Sequence, residues 1–362
     1  MMEKATPLLE NCGTRTATWE AFVGELKEVG AIATPMVAVT LSQYFLQVVS
    51  MSMAGFLGEN SFSSAAIATS FTEVTGFSLE FRMVGALETL YGQAYGAKQY
   101  RKLGIYTCTA ILSLTVVCRP LSLLWIFLEK LLVSIGQDPL TSQQAGKYAV
   151  WLIPSLFPYA ILQSLARYLQ TQSLILPMLL CPVAALCFHI PVCWVLVFKL
   201  EVGNNGAALA IGLSYWVNVI LLGIDLKLTS ATANTYLTIS WEVFLSIGEF
   251  FRLAVPSAVM VCLEWWSYEL LILLSGLLPS AELETSVLSI CFHMQPHNFY
   301  VPYSFGAAAS TRVSNELGAG NPEAARTAVR AVMVLEAAEV AIASIALFRG
   351  RHVLGLAFSR EK

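Results

Sequence analysis

The sequence has 362 residues, of which 56% are hydrophobic and 12% are charged, and its mean hydropathy is +0.66. Soluble domains carry about twice this fraction of charged residues. The composition therefore excludes an ordinary soluble domain and indicates an all-α polytopic membrane protein. The net charge of -3 gives no reason to expect a nucleic-acid partner.

Nine apolar runs are each long enough to cross a bilayer as a helix, which takes about 20 residues. In chain order they are residues 29–57, 63–87, 104–128, 148–167, 174–198, 206–226, 250–278, 284–311 and 325–348. Helices are expected because lipid offers no hydrogen-bond partner to open backbone groups. Residues 1–28 are polar and lack the short apolar core of a signal peptide, so no removable signal peptide is expected.

Basic residues are distributed unevenly between the two sides of these spans. With a cytoplasmic N-terminus, 12 Lys and Arg residues fall on the cytoplasmic side and 3 fall in outer loops. This bias predicts the orientation, because cytoplasmic loops of membrane proteins are enriched in basic residues. The tail after the ninth span, with Arg349 and Arg351, falls outside and departs from the rule.

A short pattern occurs twice in the chain at an offset of 222 residues. The matching pairs are Thr89 with Thr311, Gly96 with Gly318, Ala97 with Ala319 and, at nearly the same offset, Pro35 with Pro256. Duplicated apolar units are typical of transporters whose substrate path lies between the repeats. Six spans precede a polar linker at 227–249, so the second unit enters the membrane in the same direction and the repeats are parallel. The duplication implies three further spans.

Glu264 lies well inside the seventh span. An ionised carboxylate at that depth costs about 2.5–3.5 kcal/mol and usually marks a transport pathway. A carboxyl group there can bind a proton on one side of the membrane and release it on the other, so we predict that Glu264 couples transport to protons. The alternative is that the Glu264 carboxyl group is hydrogen-bonded to a neighbouring helix and serves only in packing. Glu269 lies nearer the outer end and is expected to be solvated.

Aromatic residues flank this carboxyl group. Trp265, Trp266 and Tyr268 present faces that suit a flat organic cation, although core packing explains them equally well. Gln43 and Tyr44 in the first span are further candidates for the substrate cavity.

The second span also contains charged residues, namely Glu73, Glu80 and Arg82. Glu73 and Glu80 are seven residues apart and share one face of a helix. They form a candidate second acidic site, either for a proton or as the lining of a wet cavity. Arg82 points elsewhere on the helix.

Two other kinds of site are not expected. His293 and His297 have Pro296 between them and no evident third ligand, so we predict a broken helix lining a cavity and no metal site. The Gly-rich segments 88–103 and 312–326, expected as cytoplasmic loops, lack the phosphate-binding pattern Gly-x-x-x-x-Gly-Lys-Ser/Thr. Without ATP, an ion gradient is the expected energy source.

Several stretches resemble the multidrug and toxic compound extrusion (MATE) family. Their sequences are most similar to its plant branch, the DETOXIFICATION proteins. The stretches are residues 89–98, 136–139, 167–172, 256–264, 273–279 and 310–322, and the similarity covers about residues 25–358. The resemblance implies two six-helix lobes around a V-shaped cavity. It also implies export of organic cations, flavonoids, alkaloids or other small organic compounds in exchange for protons, or for sodium in some members.

The resemblance divides the chain into a cytoplasmic N-terminus (1–28), an N-lobe (29–226), a linker (227–249) and a partial C-lobe (250–362). This is nine helices of a twelve-helix fold. Glu264 matches the acidic position in the seventh helix that the plant branch is thought to use for proton coupling, and its acidic partner belongs to the tenth helix. Glu80 and Arg82 stand where the family usually has an apolar residue and Gly, and residues 292–303 also differ.

The expected function is therefore efflux of small organic compounds in exchange for protons by alternating access, not enzymatic catalysis. No cofactor is expected, and the proton gradient is favoured over sodium. The expected partners are the lipid bilayer and small organic substrates, and the protein is expected to be a monomer in the plasma membrane or the vacuolar membrane. The alternatives are a truncated, non-transporting fragment that is inactive or interferes with a full-length relative, and a lipid-linked sugar flippase. A flippase favours a basic cavity, whereas the clearest intramembrane charge here is acidic.

Overall fold

The computed structural model describes residues 19–228, 240–275 and 281–358, and the regular elements in these ranges are helices. Side chains are not described at 21, 175, 281–298, 351–358 and several positions in the second half of the helix that spans 247–275. The helices are α1 Trp19–Phe56, α2 Glu59–Thr72, α3 Ser78–Gly96, α4 Tyr100–Ile126, α5 Leu128–Ser134, α6 Pro139–Thr171, α7 Ile175–Trp194, α8 Asn204–Leu228, α9 Trp241–Leu245, α10 Ile247–Ser275, α11 Ala281–Gly318 and α12 Pro322–Phe358. A π-helical segment, Glu73–Phe77, joins α2 to α3, and another, Val195–Lys199, extends α7.

Helices stand at all nine predicted spans within the described residues, so the predicted all-helical membrane fold is confirmed. In the part of the chain that the structure describes, six helical segments are long and apolar enough by themselves to cross a membrane: Phe22–Phe56, Tyr100–Ile126, Pro139–Thr171, Leu176–Lys199, Asn204–Leu228 and Pro322–Gly350. The continuous α2–α3 segment is as long, but Glu73, Glu80 and Arg82 give it more charge than a simple span. The described parts of α10 and α11 occupy the seventh and eighth predicted spans.

The two segments expected as loops are mostly helical, which corrects their predicted boundaries. α3 continues to Gly96 and α11 to Gly318, so the breaks span only residues 97–99 and 319–321. Hydropathy reports where a chain leaves the lipid, whereas a helix ends where its backbone hydrogen bonds end. Gly-rich and polar sequences therefore continue as helix beyond the apolar core.

The two turns that follow α3 and α11 are built alike. Gln99 N–H donates to Ala94 O at 2.8 Å, and Asn321 N–H donates to the equivalent Glu316 O at 2.8 Å. The residue before each donor has positive φ, 58° at Lys98 and 78° at Gly320. This is the geometry of a Schellman helix cap, in which a left-handed residue lets the chain turn back on the last carbonyl groups. The repeat seen in the sequence is thus also a repeat of backbone conformation.

The expected break at Pro296 does not occur. α11 runs as one helix through this position, and α6 likewise contains Pro154 and Pro158. Proline removes one backbone hydrogen bond, but neighbouring helices and small local adjustments accommodate it inside a membrane bundle. The prediction of a broken helix at Pro296 was therefore wrong.

The core of the first unit centres on the π-helical segment Glu73–Phe77. Phe77 makes edge-to-face contacts with Trp125 of α4, Tyr159 of α6 and Tyr215 of α8, with ring centroids 4.9–6.2 Å apart. Gly76 leaves the space that the Trp125 indole fills, because a Cβ there would overlap it. This core packs against one side of α3. The other side of α3 faces the second unit.

Candidate functional site

The two copies of the repeat meet at one end of the helix bundle, which we call the repeat end. Gly96 lies directly against Asn315 O, and Gly318 lies against Gln93 O, where a Cβ would approach to 2.5 Å. At the offset of 222, Gly96 corresponds to Gly318 and Gln93 to Asn315. The contact is therefore reciprocal, as a two-fold relation between the units requires. We call these four residues the repeat contact.

The end of α6 joins the same interface through polar contacts. Gln170 Nε2 donates to Ala307 O at 3.0 Å and to Thr311 Oγ1 at 2.8 Å, and Asn315 Nδ2 donates to Thr171 O at 3.2 Å. Each of these bonds crosses from the first unit to α11 of the second. They add directional polar contacts to the apolar packing between the two units.

A buried arginine lies deeper in the interface. Arg167 Nη1 forms an ion pair with Glu88 Oε1 at 2.9 Å and also donates to Gln170 Oε1 at 2.7 Å, while its Nη2 donates to the Tyr303 hydroxyl of α11. The Arg167 side chain is 4% exposed and that of Glu88 is 16% exposed. A buried ion pair is kept only with good geometry and further hydrogen bonds, and Tyr303 ties this one to the second unit.

A second ion pair lies near the surface of the repeat end. Arg312 of α11 binds both carboxylate oxygens of Glu25 in α1, at 2.6 Å and 3.2 Å, and also contacts Glu316 at 3.3 Å. The side chains of Arg312 and Glu25 are 20% and 14% exposed. This forked geometry suits arginine and a carboxylate, and it fastens the start of α1 to the second unit.

Aromatic rings and arginines line the interface further from the repeat end. Phe81 and Phe299 both pack against Tyr303, with ring centroids 5.4 Å and 5.5 Å away. The Arg82 guanidinium lies 5.3 Å from the Phe81 ring and 5.8 Å from the Phe299 ring. The rings and the guanidinium group thus pack against each other across the two units in cation–π contacts.

The two first-span candidates for the substrate cavity point in different directions. Tyr44 faces the second unit, because its ring lies 5.7 Å from that of Tyr300. Gln43 instead accepts a hydrogen bond from Gln163 Nε2 at 3.3 Å within the first unit. The structure therefore places Tyr44 at the interface between the units, whereas Gln43 lies inside the first unit.

The two acidic residues of the second span have different surroundings. Glu73 is partly exposed and accepts a hydrogen bond from Gln47 Nε2 at 2.9 Å. Glu80 is completely buried, and its Oε1 accepts a hydrogen bond from the Cys118 thiol at 3.1 Å. Glu80 thus does not line a wet cavity in this conformation, whereas Glu73 borders accessible space.

The predicted coupling residue belongs to α10, whose backbone is helical at this position. The side chains of Glu264, Trp265, Trp266 and Tyr268 lie outside the described residues, as do those of His293 and His297. Their roles stay predictions.

Sequence reasoning missed the polar residues that join the two units. Arg167, Glu88, Tyr303 and Arg312 were assigned no role, although Arg167 ends an apolar span and Glu88 lies inside the first repeat copy. A charged residue at each of these places was a usable signal. Its partner was not predictable, because Arg167 and Tyr303 are 136 residues apart.

Comparison with known proteins agrees with this architecture. The MatE family profile matches residues 35–195 and 256–362, which start at the two prolines that the repeat aligns. Protein DETOXIFICATION 14 of Arabidopsis thaliana is 54% identical over 342 residues, 94% of this chain and 70% of the relative. Protein DETOXIFICATION 12 of the same plant is 53% identical over 94% of this chain and 71% of its own length.

Solved structures give the same result. The crystal structure of the eukaryotic MATE transporter AtDTX14 superposes with a TM-score of 0.88 and covers 94% of this chain and 76% of that one. A MOP superfamily transporter from Pyrococcus furiosus shares the fold at 15% identity, with a TM-score of 0.79 over 93% of this chain and 75% of that one. These matches show that the chain is an integral, multi-pass membrane protein of the MATE family of transporters.

Proposed function

We propose that this chain exports small organic compounds in exchange for protons by alternating access. The repeat contact carries the proposal, because alternating access requires two units that close the path at one end at a time. Gly96 and Gly318 allow the two backbones to touch there, and the contacts of Arg167 and Arg312 seal the same end. Relatives named for detoxification support the assignment of exported compounds.

The direction of closure follows from the charge distribution. The orientation predicted from the basic residues puts the repeat end in the cytoplasm. This conformation then corresponds to a state closed toward the cytoplasm, from which substrate leaves to the other side. Opening the repeat end would admit the next substrate molecule.

Glu264 is the proposed coupling residue in the second unit. Protonation would favour one arrangement of the helices around α10, and deprotonation on the cytoplasmic side would restore the other. We further propose organic cations or plant secondary metabolites as substrates. The protein acts as a monomer, in the plasma membrane or the vacuolar membrane. Location of a fluorescently tagged chain in plant cells distinguishes the two membranes.

Efflux of a fluorescent organic cation from proteoliposomes tests the proposal. With an imposed pH gradient we expect transport by the unmodified chain and its loss in Glu264→Gln. Glu269→Gln is the matched control, since it removes a carboxyl group five residues further along the same helix. Transport at the normal rate by Glu264→Gln would refute the coupling role. Transport driven by a sodium gradient alone would assign a different ion, and no transport by the unmodified chain would refute the proposed activity.

A further inference from the structure

Glu80 is an unusual group within the first unit. Its side chain is 0% exposed, and it lies on α3 between α4 and the aromatic core around Phe77. Oε1 accepts the hydrogen bond from Cys118, but Oε2 is buried without a hydrogen-bond partner among the described residues. One of the two carboxyl oxygens therefore has no described hydrogen-bond partner, in a place with no solvent-accessible surface.

The ionised form of Glu80 is disfavoured in these surroundings. A buried carboxylate needs cations or several donors to replace the water that it loses, and a single thiol is a weak donor. Among the residues that the structure describes, Tyr159 of α6 and Tyr215 of α8 also lie within electrostatic range of Glu80, and both are neutral at physiological pH. Arg82, on the same helix, lies against the Phe81 and Phe299 rings and within electrostatic range of Glu73. A proton on Oε2 removes the charge and leaves Oε1 as the carbonyl oxygen that accepts from Cys118.

We propose that Glu80 is a second proton-binding site, in the first unit and separate from Glu264, that holds a proton in this conformation and releases it to water in another. The step is a simple dissociation, in which the Oε2–H bond breaks, the proton passes to water and the carboxylate keeps the electron pair. Its use in an export cycle rests on the proposed function, whereas proton binding itself does not.

Two features of the structure support release of the proton from Glu80. Glu73, on the same continuous segment, is partly exposed, and Tyr159 and Tyr215 interact with both carboxyl groups. The π-helical segment Glu73–Phe77 begins at Glu73 and ends three residues before Glu80. Such segments are local irregularities that often occur at functional sites and can rearrange more easily than a regular helix. A change there would alter the packing around Phe77 and, with it, the exposure of Glu80 three residues further along the helix.

Infrared spectroscopy of the purified full chain in detergent or nanodiscs tests the proposal without any transport assay. A protonated carboxyl group has a C=O stretching band that is separate from the carboxylate bands. We expect a band that is present at neutral pH, shifts in D2O and disappears as the pH is raised. It should be absent in Glu80→Gln and retained in Glu73→Gln and Glu264→Gln, which are the matched controls.

Cys118→Ala provides a second readout if Glu80→Gln does not fold. Removing the thiol donor from Oε1 should move the same band to higher frequency, because a hydrogen bond to a carbonyl oxygen weakens the C=O bond. An unchanged band in both Glu80→Gln and Cys118→Ala would overturn the assignment. A band from Glu80 that persists at every pH at which the protein stays folded would overturn proton exchange. Either result would leave the Glu264 efflux experiment unaffected.

Discussion

Gly96 and Gly318 each lie against the carbonyl oxygen of the residue three positions before the other glycine. Gly96 touches Asn315 O, and Gly318 touches Gln93 O. The two glycines are equivalent in the repeat, so one sequence feature supplies both halves of the contact. Two copies of a small residue are what allow the helices α3 and α11 to approach this closely.

A methyl group at either glycine should open the repeat end. Gly318→Ala places a Cβ 2.5 Å from Gln93 O, and Gly96→Ala places one 2.9 Å from Ala319 N, so the helices must separate. Overpacking of this kind costs about 1–3 kcal/mol, and here it acts on the closed arrangement. We expect faster hydrogen–deuterium exchange at the ends of α3 and α11. Gly306→Ala is the control on α11, because nothing lies within 4 Å of a Cβ there. Equal exchange in all three variants would contradict the contact.

Loss of Glu88 should destabilise the protein far more than loss of a surface acid. Glu88→Gln leaves the Arg167 charge buried without its ion-pair partner, which we expect to cost about 3–5 kcal/mol. Glu323→Gln is the matched control, because its pair with Arg326 is 61% and 70% exposed and should contribute less than about 1 kcal/mol. Thermal unfolding in detergent measures both variants. Similar melting temperatures for the two would show that the buried pair contributes little.

The pair between Arg312 and Glu25 should show energetic coupling across the two units. We expect a coupling free energy of about 1.5 kcal/mol in a double-mutant cycle of Arg312→Gln and Glu25→Gln, because two charge-assisted hydrogen bonds are lost together. Arg312→Lys keeps the charge but loses the fork and should recover only part of it. Chemical unfolding of the four proteins provides the free energies. Additive effects of the two single changes would exclude an interaction.

The start of α6 should make stability depend on acid pH. Thr141 donates its N–H and its hydroxyl to Asp138 Oδ2 at 2.9 Å and 3.0 Å, and these bonds hold the pKa of Asp138 below its usual range. The cap therefore stabilises the fold above the usual value of about 4 and loses this effect as the pH falls through the lowered pKa. We expect Asp138→Ala to lower the melting temperature at neutral pH, with the difference shrinking in acid. Asp138→Asn, which keeps the cap but cannot titrate, should lack this pH dependence. A difference that is constant with pH would contradict the role of the charge.

The sequence determined the class of fold and its internal repeat. Hydropathy located all nine helical segments, because apolar runs of this length have one stable conformation in lipid. The offset of 222 identified equivalent positions whose backbone turns proved alike, as at Lys98 and Gly320. Helix ends were less predictable, because α3 and α11 extend beyond their apolar runs.

Only the tertiary structure decided which side chains meet. Arg167 and Tyr303 are 136 residues apart in the chain, and Arg312 and Glu25 are 287 residues apart. Sequence periodicity carries no information on pairing at such distances. The difference between Glu73 and Glu80 is of the same kind. One helix face predicted similar surroundings for both, yet the packing of α4 against α3 buries Glu80 beside Cys118 and leaves Glu73 partly exposed. Local sequence specifies helices, whereas the surroundings of a carboxyl group depend on what packs around it.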